Sequence, residues 1–215
     1  MSGRFGTAVI LAGGKSKRMG FDKQTLKIDG RYLILTLIEQ MRPYFDQIII
    51  ACNRPLHPYH LYKGVTVVKD QYIQVGPMAG IHGALRVSNS DYVYVIACDT
   101  FFYPEVMLYF QQEVGRRIEV VNGPMPTMCI CEKEDDYYEP LNAFYHKDLL
   151  VDFKRALRNN CFSLQKCIRT IDHKHVITAE KMGSLFKEQV FLNFNTKEEI
   201  KDYEKKHGLN DSKRA

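Results

Sequence analysis

Short, unbroken apolar runs rich in β-branched side chains recur along the chain, at Thr7 to Leu11, Gln47 to Cys52, Val65 to Val68, Tyr92 to Cys98 and Ile118 to Val121. Runs without polar alternation are what strands covered on both faces require, so they predict a mostly parallel sheet. Between them lie patterns with the helical period: "YLILTLIEQMRPYF", "GIHGALRV" and "PEVMLYFQQEVG". In the last, Pro104 suits a first helical turn and Gly115 suits a stop. Strand and helix alternate, which predicts an α/β fold.

Beyond Gly123 the pattern loosens. "PTMCICE" and "NAFYH" predict two further strands with antiparallel pairing, and helices are expected near Lys147 to Arg158, Ser163 to Thr170 and Glu180 to Phe186. The last helix is better marked, because Thr196 and Glu199 have capping-box spacing and Gly208 supplies a stop. One domain over residues 1–208 with a frayed tail at 209–215 is the expected organisation.

With 215 residues, 45% of them hydrophobic, the chain can bury one sizeable core. Its formal charge of +5 suits anionic small molecules as well as nucleic acid, but there is no arginine-rich run, and no nucleic-acid partner is expected. The longest apolar stretches, such as "AVILA" and "VYVIAC", fall well short of the roughly 20 residues that span a bilayer. No secretory signal is visible either, since five apolar residues run straight into Gly-Gly-Lys. A soluble, cytoplasmic protein without a membrane partner is expected. The six cysteines form no Cys-x-x-Cys pair. Cys129-x-Cys131 and His173-x-His175 read as alternation on strands, and neither is assigned a metal.

The candidate chemistry begins at "LAGGKSKRMGFDK", Leu11 to Lys23. Gly14-Lys15-Ser16 looks like the end of a Walker A loop, which needs a glycine at position 9, where this chain has Val9. A dinucleotide fingerprint fails too, because Gly13 and Gly14 are adjacent and Gly20 follows six residues later. What remains is a buried strand ending in a glycine pair. Such a pair lets backbone N–H groups approach an anion closely, and Arg18 and Lys23 can neutralise phosphates from the far side of the loop.

This stretch resembles the signature Leu-Ala-Gly-Gly-x-Ser-x-Arg-Met-Gly-x-Asp-Lys of the Rossmann-like nucleotidyltransferases, especially the molybdenum cofactor guanylyltransferases. Similar matches follow in "ACNR", "VKDQYIQVGPMAGIHGAL", "IACDT" and "FLNFNTKEEI", so the resemblance runs from Ala8 to about Ile200 and is weakest between Gly115 and Gln189. It implies a three-layer Rossmann-like nucleotidyltransferase fold. It also implies transfer of GMP from GTP to the phosphate of molybdopterin or the molybdenum cofactor, with Mg²⁺ as cofactor and a molybdoenzyme or its chaperone as a further partner. A phosphate monoester nucleophile is already anionic near neutral pH, so alignment and charge neutralisation carry such a reaction and no His or Cys nucleophile is needed.

Asp99 closes an apolar strand, so its carboxylate is expected at the C-terminal sheet edge, where a hard cation shared with substrate phosphates would sit. With Arg18 and Lys23 it makes up the catalytic set. The resemblance carries over the backbone of Leu11, Ala12, Gly13 and Gly14, with Lys23, Asn53, Asp70 and Asp99, as nucleotide contacts. A carboxylate at Asp70 can accept from guanine N1–H and N2–H or from ribose hydroxyls, or can simply close a turn. Gly76 and Gly80 would allow close approach to base or ribose, with helix–sheet packing as the competing account. Asn193 and Asn195, two apart, would face one side of an extended segment near the metal; Asn195 in a turn with Thr196 as cap is compatible with this.

Two departures stand out. Phe101 occupies the place where the family usually has Pro, and Met78 replaces its usual Leu. Related enzymes use CTP, or couple nucleotides to sugar or alditol phosphates, while the glycine pair, Asp70 and Gly-Pro-Met-Ala-Gly favour the guanylyl branch. A non-catalytic carrier of nucleotide or cofactor is the alternative of another class, supported by Phe101 and opposed by intact Lys23 and Asp99.

Overall fold

The computed structural model describes residues 2–13, 21–69, 71–72, 75–120, 125–134, 137–186 and 188–207. In chain order the elements are α1 (Ser2–Phe5), β1 (Thr7–Leu11), β2 (Lys27–Ile28), β3 (Arg31–Tyr32), α2 (Leu33–Met41), β4 (Gln47–Ala51), β5 (Val65–Val68), α3 (Pro77–Val87), β6 (Tyr92–Ala97) and α4 (Pro104–Val120). There follow β7 (Met128–Glu134), β8 (Tyr137–His146), α5 (Leu149–Arg158), α6 (Leu164–Thr170), β9 (Lys174–Thr178), α7 (Ala179–Met182) and α8 (Lys197–Lys206).

Among the described residues a seven-stranded sheet runs in the order β5-β4-β1-β6-β8-β7-β9. It is parallel except that β8 runs against both β6 and β7. The alternation of β1 explains the layers on its two sides. Ala8 and Ile10 face a core shared with Leu37 and Ile38 of α2 and Phe110 of α4, while Val9 and Leu11 face Ile81 of α3, Phe153 of α5 and Ile168 of α6. Both sets are apolar because both faces are covered, which is why the strand reads as one unbroken run. Among the described residues no helix is long and apolar enough to cross a membrane.

One predicted strand is wrong. Ile118 to Val120 continue helix α4, and Val121 lies outside the described residues. Gly115 does not stop the helix, because a Cβ there would meet nothing and a glycine in a helix interior costs only about 1 kcal/mol. Two features give no apolar signal: the first was not predicted, and the second was anticipated only in the reading of His173-x-His175 as strand alternation, of which His175 lies on β9 while His173 precedes it at φ 57°. The β2–β3 hairpin turns at Asp29 and Gly30, both at positive φ (50° and 76°), as a two-residue turn of the I′ kind requires. Strand β9 is a half-buried edge whose polar residues mask it. Cys129 and Cys131 lie on β7 and are buried on one face; Cys129 pairs in register with His175 of β9. The Thr196–Glu199 capping box is present, whereas Gly208 and the tail at 209–215 lie outside the described residues.

His82 of α3 is 3% exposed, its Nδ1 has no hydrogen-bond partner, and its ring meets Tyr72 edge-on. Burial lowers its pKa below the ordinary 6.5, helped by the positive charges of Arg86 and Lys154. The unfolded chain therefore binds this proton more readily, so the stability tied to neutral His82 is complete above 6.5 and falls as pH drops below it. His82→Leu is expected to lose less stability between neutral and acidic pH than the wild type, as measured by denaturant unfolding across that range.

Candidate active site

From β1 the chain builds outward to β4 and β5 on one side and returns to β6 on the other. Open α/β sheets form a crevice at such a reversal, outside the carboxyl ends of the strands. Backbone hydrogen bonds continue the ladder past the strand ends and align what emerges. Ala12 N–H donates to Ala51 O (3.0 Å), Cys98 N–H to Leu11 O (3.1 Å) and Cys52 N–H to Val68 O (3.0 Å). Gly13, Asn53 and Asp99 consequently leave the sheet along one edge. Of the four backbone contacts expected here, the Leu11 carbonyl and the Ala12 N–H are engaged in the sheet, Gly13 is exposed, and Gly14 lies outside the described residues.

Asp99 is 2% exposed, and its Oδ2 is paired with Lys23 Nζ from a segment 76 residues away in sequence. A carboxylate this deep needs a cationic partner, since an unpaired buried charge is far more costly than an exposed one. The Lys23 side chain keeps 30% of its surface, so the pair opens to solvent on the lysine side. Neighbouring Cys98 offers no nucleophile: burial pushes its thiol up, and the adjacent Asp99 charge pushes it further.

Lys23 opens a short 3₁₀ turn, Lys23–Thr25, which Asp22 caps by accepting from Gln24 N–H (3.0 Å). What fixes this turn is Gln24, 1% exposed, which no local pattern marks. Its Oε1 accepts from Tyr59 Oη (2.8 Å) and Leu56 N–H (3.2 Å), and its Nε2 donates to Arg54 O (3.0 Å) and Asp22 Oδ1 (3.3 Å). One buried amide thus ties the Lys23 turn to the loop that carries exposed Asn53. Single-residue polar hubs leave no periodic trace in a sequence, so reading the chain alone passes over them.

The C-terminal segment reaches the same place. Phe194 N–H donates to Asp99 O (2.9 Å), and Thr100 Oγ1 donates to Leu192 O (2.6 Å), which brings half-buried Asn193 beside the Asp99 loop. Asn195 is exposed and belongs to the start of α8: its Nδ2 donates to Asn193 O (3.1 Å) and its N–H to Glu199. The turn-and-cap account of Asn195 therefore describes it better than a pair of amides facing one way. Gly76 precedes α3 at φ 84°, ψ −166°, exposed and in a conformation only glycine adopts freely, whereas Gly80 is buried inside the helix. At Gly83 an added Cβ would lie 3.2 Å from Val68 Cγ1, a helix–sheet packing contact. Gly14, Arg18 and Asp70 lie outside the described residues.

For a cation, the site has one buried carboxylate with an asparagine-bearing segment alongside; among the described residues no cluster of three His, Cys, Asp or Glu side chains exists. That donor set fits a hard divalent ion that keeps waters and shares its remaining positions with phosphates, and does not fit zinc. A cavity of about 540 Å³ between α5 and α6, lined by Thr127, Arg155, Cys167 and His173, lies at the opposite, N-terminal edge of the sheet and is no part of this site.

Replacing Gln24 by Leu would strand the Tyr59 hydroxyl and the Leu56 N–H. Denaturant unfolding of Gln24→Leu is expected to show a loss of about 2 kcal/mol or more.

The fold has counterparts among known proteins. The model of the "MobA-like NTP transferase domain" matches residues 8–176. The chain is 36% identical over 208 residues to a molybdenum cofactor guanylyltransferase of Syntrophotalea carbinolica, covering 94% of this chain and 90% of that one. It is 33% identical over 202 residues to a probable molybdenum cofactor guanylyltransferase of Peptoclostridium acidaminophilum, covering 93% and 88%. Among solved structures it resembles molybdopterin-guanine dinucleotide biosynthesis protein A of Archaeoglobus fulgidus, with TM-score 0.73, 25% identity, and coverage of 94% and 98%.

Proposed function

The chain belongs to the MobA-like NTP transferase family, and from that membership we infer that it transfers GMP from GTP to the terminal phosphate of molybdopterin, giving the guanine dinucleotide cofactor and pyrophosphate. The observation that carries this reading is the Lys23–Asp99 pair, a cation and a carboxylate brought together at the sheet's switch point, at the edge where Gly13 leaves β1.

In the reaction a phosphate oxygen of molybdopterin forms a bond to the α-phosphorus of GTP. The bond from that phosphorus to the bridging oxygen of the β-phosphate breaks, and pyrophosphate leaves with the electron pair. The nucleophile is an anion at neutral pH and needs no base, so the protein's task is to align two anions and offset their charge. Asp99, with Asn193 alongside, would hold Mg²⁺, which when bound supplies positive charge to the triphosphate. Lys23 sits where its ammonium can pass from Asp99 to a phosphate as the nucleotide enters, and Arg18 and the N–H groups of Gly13 and Gly14 are assigned to the same phosphates. The positive end of α3, opened by Gly76, points its N–H groups toward the same edge. Asn53 and Asp70 are assigned to the nucleoside, where the carboxylate suits the paired N–H donors of guanine.

The discriminating assay is pyrophosphate release from GTP, CTP, ATP and UTP, with molybdopterin and Mg²⁺ present and then each omitted. Release confined to GTP and dependent on both is expected. Release with CTP would instead make the protein a cytidylyltransferase, and GTP binding without turnover would make it a carrier. Asp99→Asn is expected to lower turnover by at least about a hundredfold with the fold intact. Lys23→Ala is expected to weaken GTP binding by about tenfold, read by calorimetry.

A further inference from the structure

Behind the Lys23–Asp99 pair lies a third apolar cluster, separate from the two that cover the sheet. Leu26, Leu33, Phe194 and Ile200 form its buried part, with Phe21, Ile28, Phe101 and Tyr203 packed against them. Its members come from three segments. Phe21 and Leu26 flank Lys23; Phe101 stands two residues after Asp99; Phe194, Ile200 and Tyr203 belong to the C-terminal segment and α8.

Three of these rings close a triangle. Phe101 and Phe194 meet edge to face at 5.4 Å and 88°, Phe194 and Tyr203 at 5.4 Å and 79°, and Phe101 lies against Tyr203 at 4.9 Å and 35°. Such offset and perpendicular contacts favour one arrangement over others, which general apolar burial does not. The same segments are linked by polar bonds, from Phe194 N–H to Asp99 O (2.9 Å) and from Asp29 N–H to Glu204 Oε1 (2.9 Å). The loop that starts at Asp99 is therefore held by its carbonyl at one residue and by its ring two residues later, both against the C-terminal segment.

We propose that the Phe101–Phe194–Tyr203 triangle is a positioning device: it sets the Asp99 carboxylate against Lys23 and makes helix α8, which contributes none of the assigned nucleotide or metal contacts, part of the divalent-cation site. This rests on the assignment of a cation to Asp99 in the proposed function. A carboxylate that shares its cation mostly with phosphates and waters depends on its own loop for position, so that loop must be fixed from behind.

The test measures cation binding directly. Mn²⁺ is titrated calorimetrically into the full chain saturated with a non-hydrolysable GTP analogue, well below the melting temperature of each variant. Phe101→Ala and Tyr203→Ala are expected to weaken Mn²⁺ binding by about tenfold at unchanged stoichiometry. Tyr203→Phe, which keeps the ring, is expected to match the wild type. A structural role alone would lower the number of competent sites and leave the Mn²⁺ Kd of the folded molecules unchanged, and that result overturns the proposal. Should an alanine variant fail to fold, Phe101→Leu and Tyr203→Leu keep apolar bulk without the ring geometry and carry the same expectation. Absence of Mn²⁺ binding in the wild type overturns the cation assignment itself, and is recognisable because every variant is then silent as well.

Discussion

Strand β1 is hydrogen-bonded on both sides, to β4 along Thr7–Leu11 and to β6 along the same five residues. Everything chemical in the molecule depends on this double ladder. Because the ladder continues one residue past each strand, through Ala12 to Ala51 and Cys98 to Leu11, Gly13 and Asp99 have no freedom to slide relative to each other. A shift of one register would also move Val9 and Leu11 into the opposite core, so the packing of both helical layers enforces the same alignment.

The ladder places Asp99 but not its partner. Lys23 lies beyond the first loop, and two unlike devices hold it. On one side the Gln24 amide is bonded to Tyr59, Leu56, Arg54 and Asp22, a saturated polar hub whose neutrality lets it be buried at little cost. On the other, Phe21 and Leu26 join the aromatic and aliphatic cluster that also receives Phe101 and Tyr203. The ion pair sits between a directional constraint and a packing constraint. That combination suits a charged side chain that must be held in place yet remain able to exchange partners when a triphosphate arrives.

The same arrangement leaves Cys98 without a part in the chemistry. Cys98 adjoins Asp99 but is buried among apolar groups that keep its thiol protonated. Transfer between two phosphates calls for alignment and charge compensation, and the described groups at the crevice suit that: a carboxylate, an ammonium and the exposed Gly13.

Strands β1, β4 and β6 were legible because burial on both faces forces an apolar run, and the half-buried edge strand β5 was legible from its β-branched residues; all four fall within a residue of where those runs lie. The spacing of Leu11 to Lys23 and the strand-end position of Asp99 pointed to the site for a related reason: backbone approach to phosphate requires glycine, and a parallel strand delivers its last residue to the ligand edge. Ile118 misled, since a short β-branched run is equally at home in the last turns of a helix packed on a sheet. Gln24, Thr100 and Tyr203 escaped notice, and Phe101 was noticed only as a departure from the family pattern, because their importance lies in what they touch across 30 or more residues, as Gln24 touches Leu56 at a separation of 32. By itself the sequence determined the α/β alternation and the strand-end position of Asp99, both of which follow from local backbone and burial requirements. The tertiary structure alone decided which cation faces Asp99, how Asn195 is used and why the last helix belongs to the site. These are set by side-chain geometry between distant segments, which no local pattern encodes.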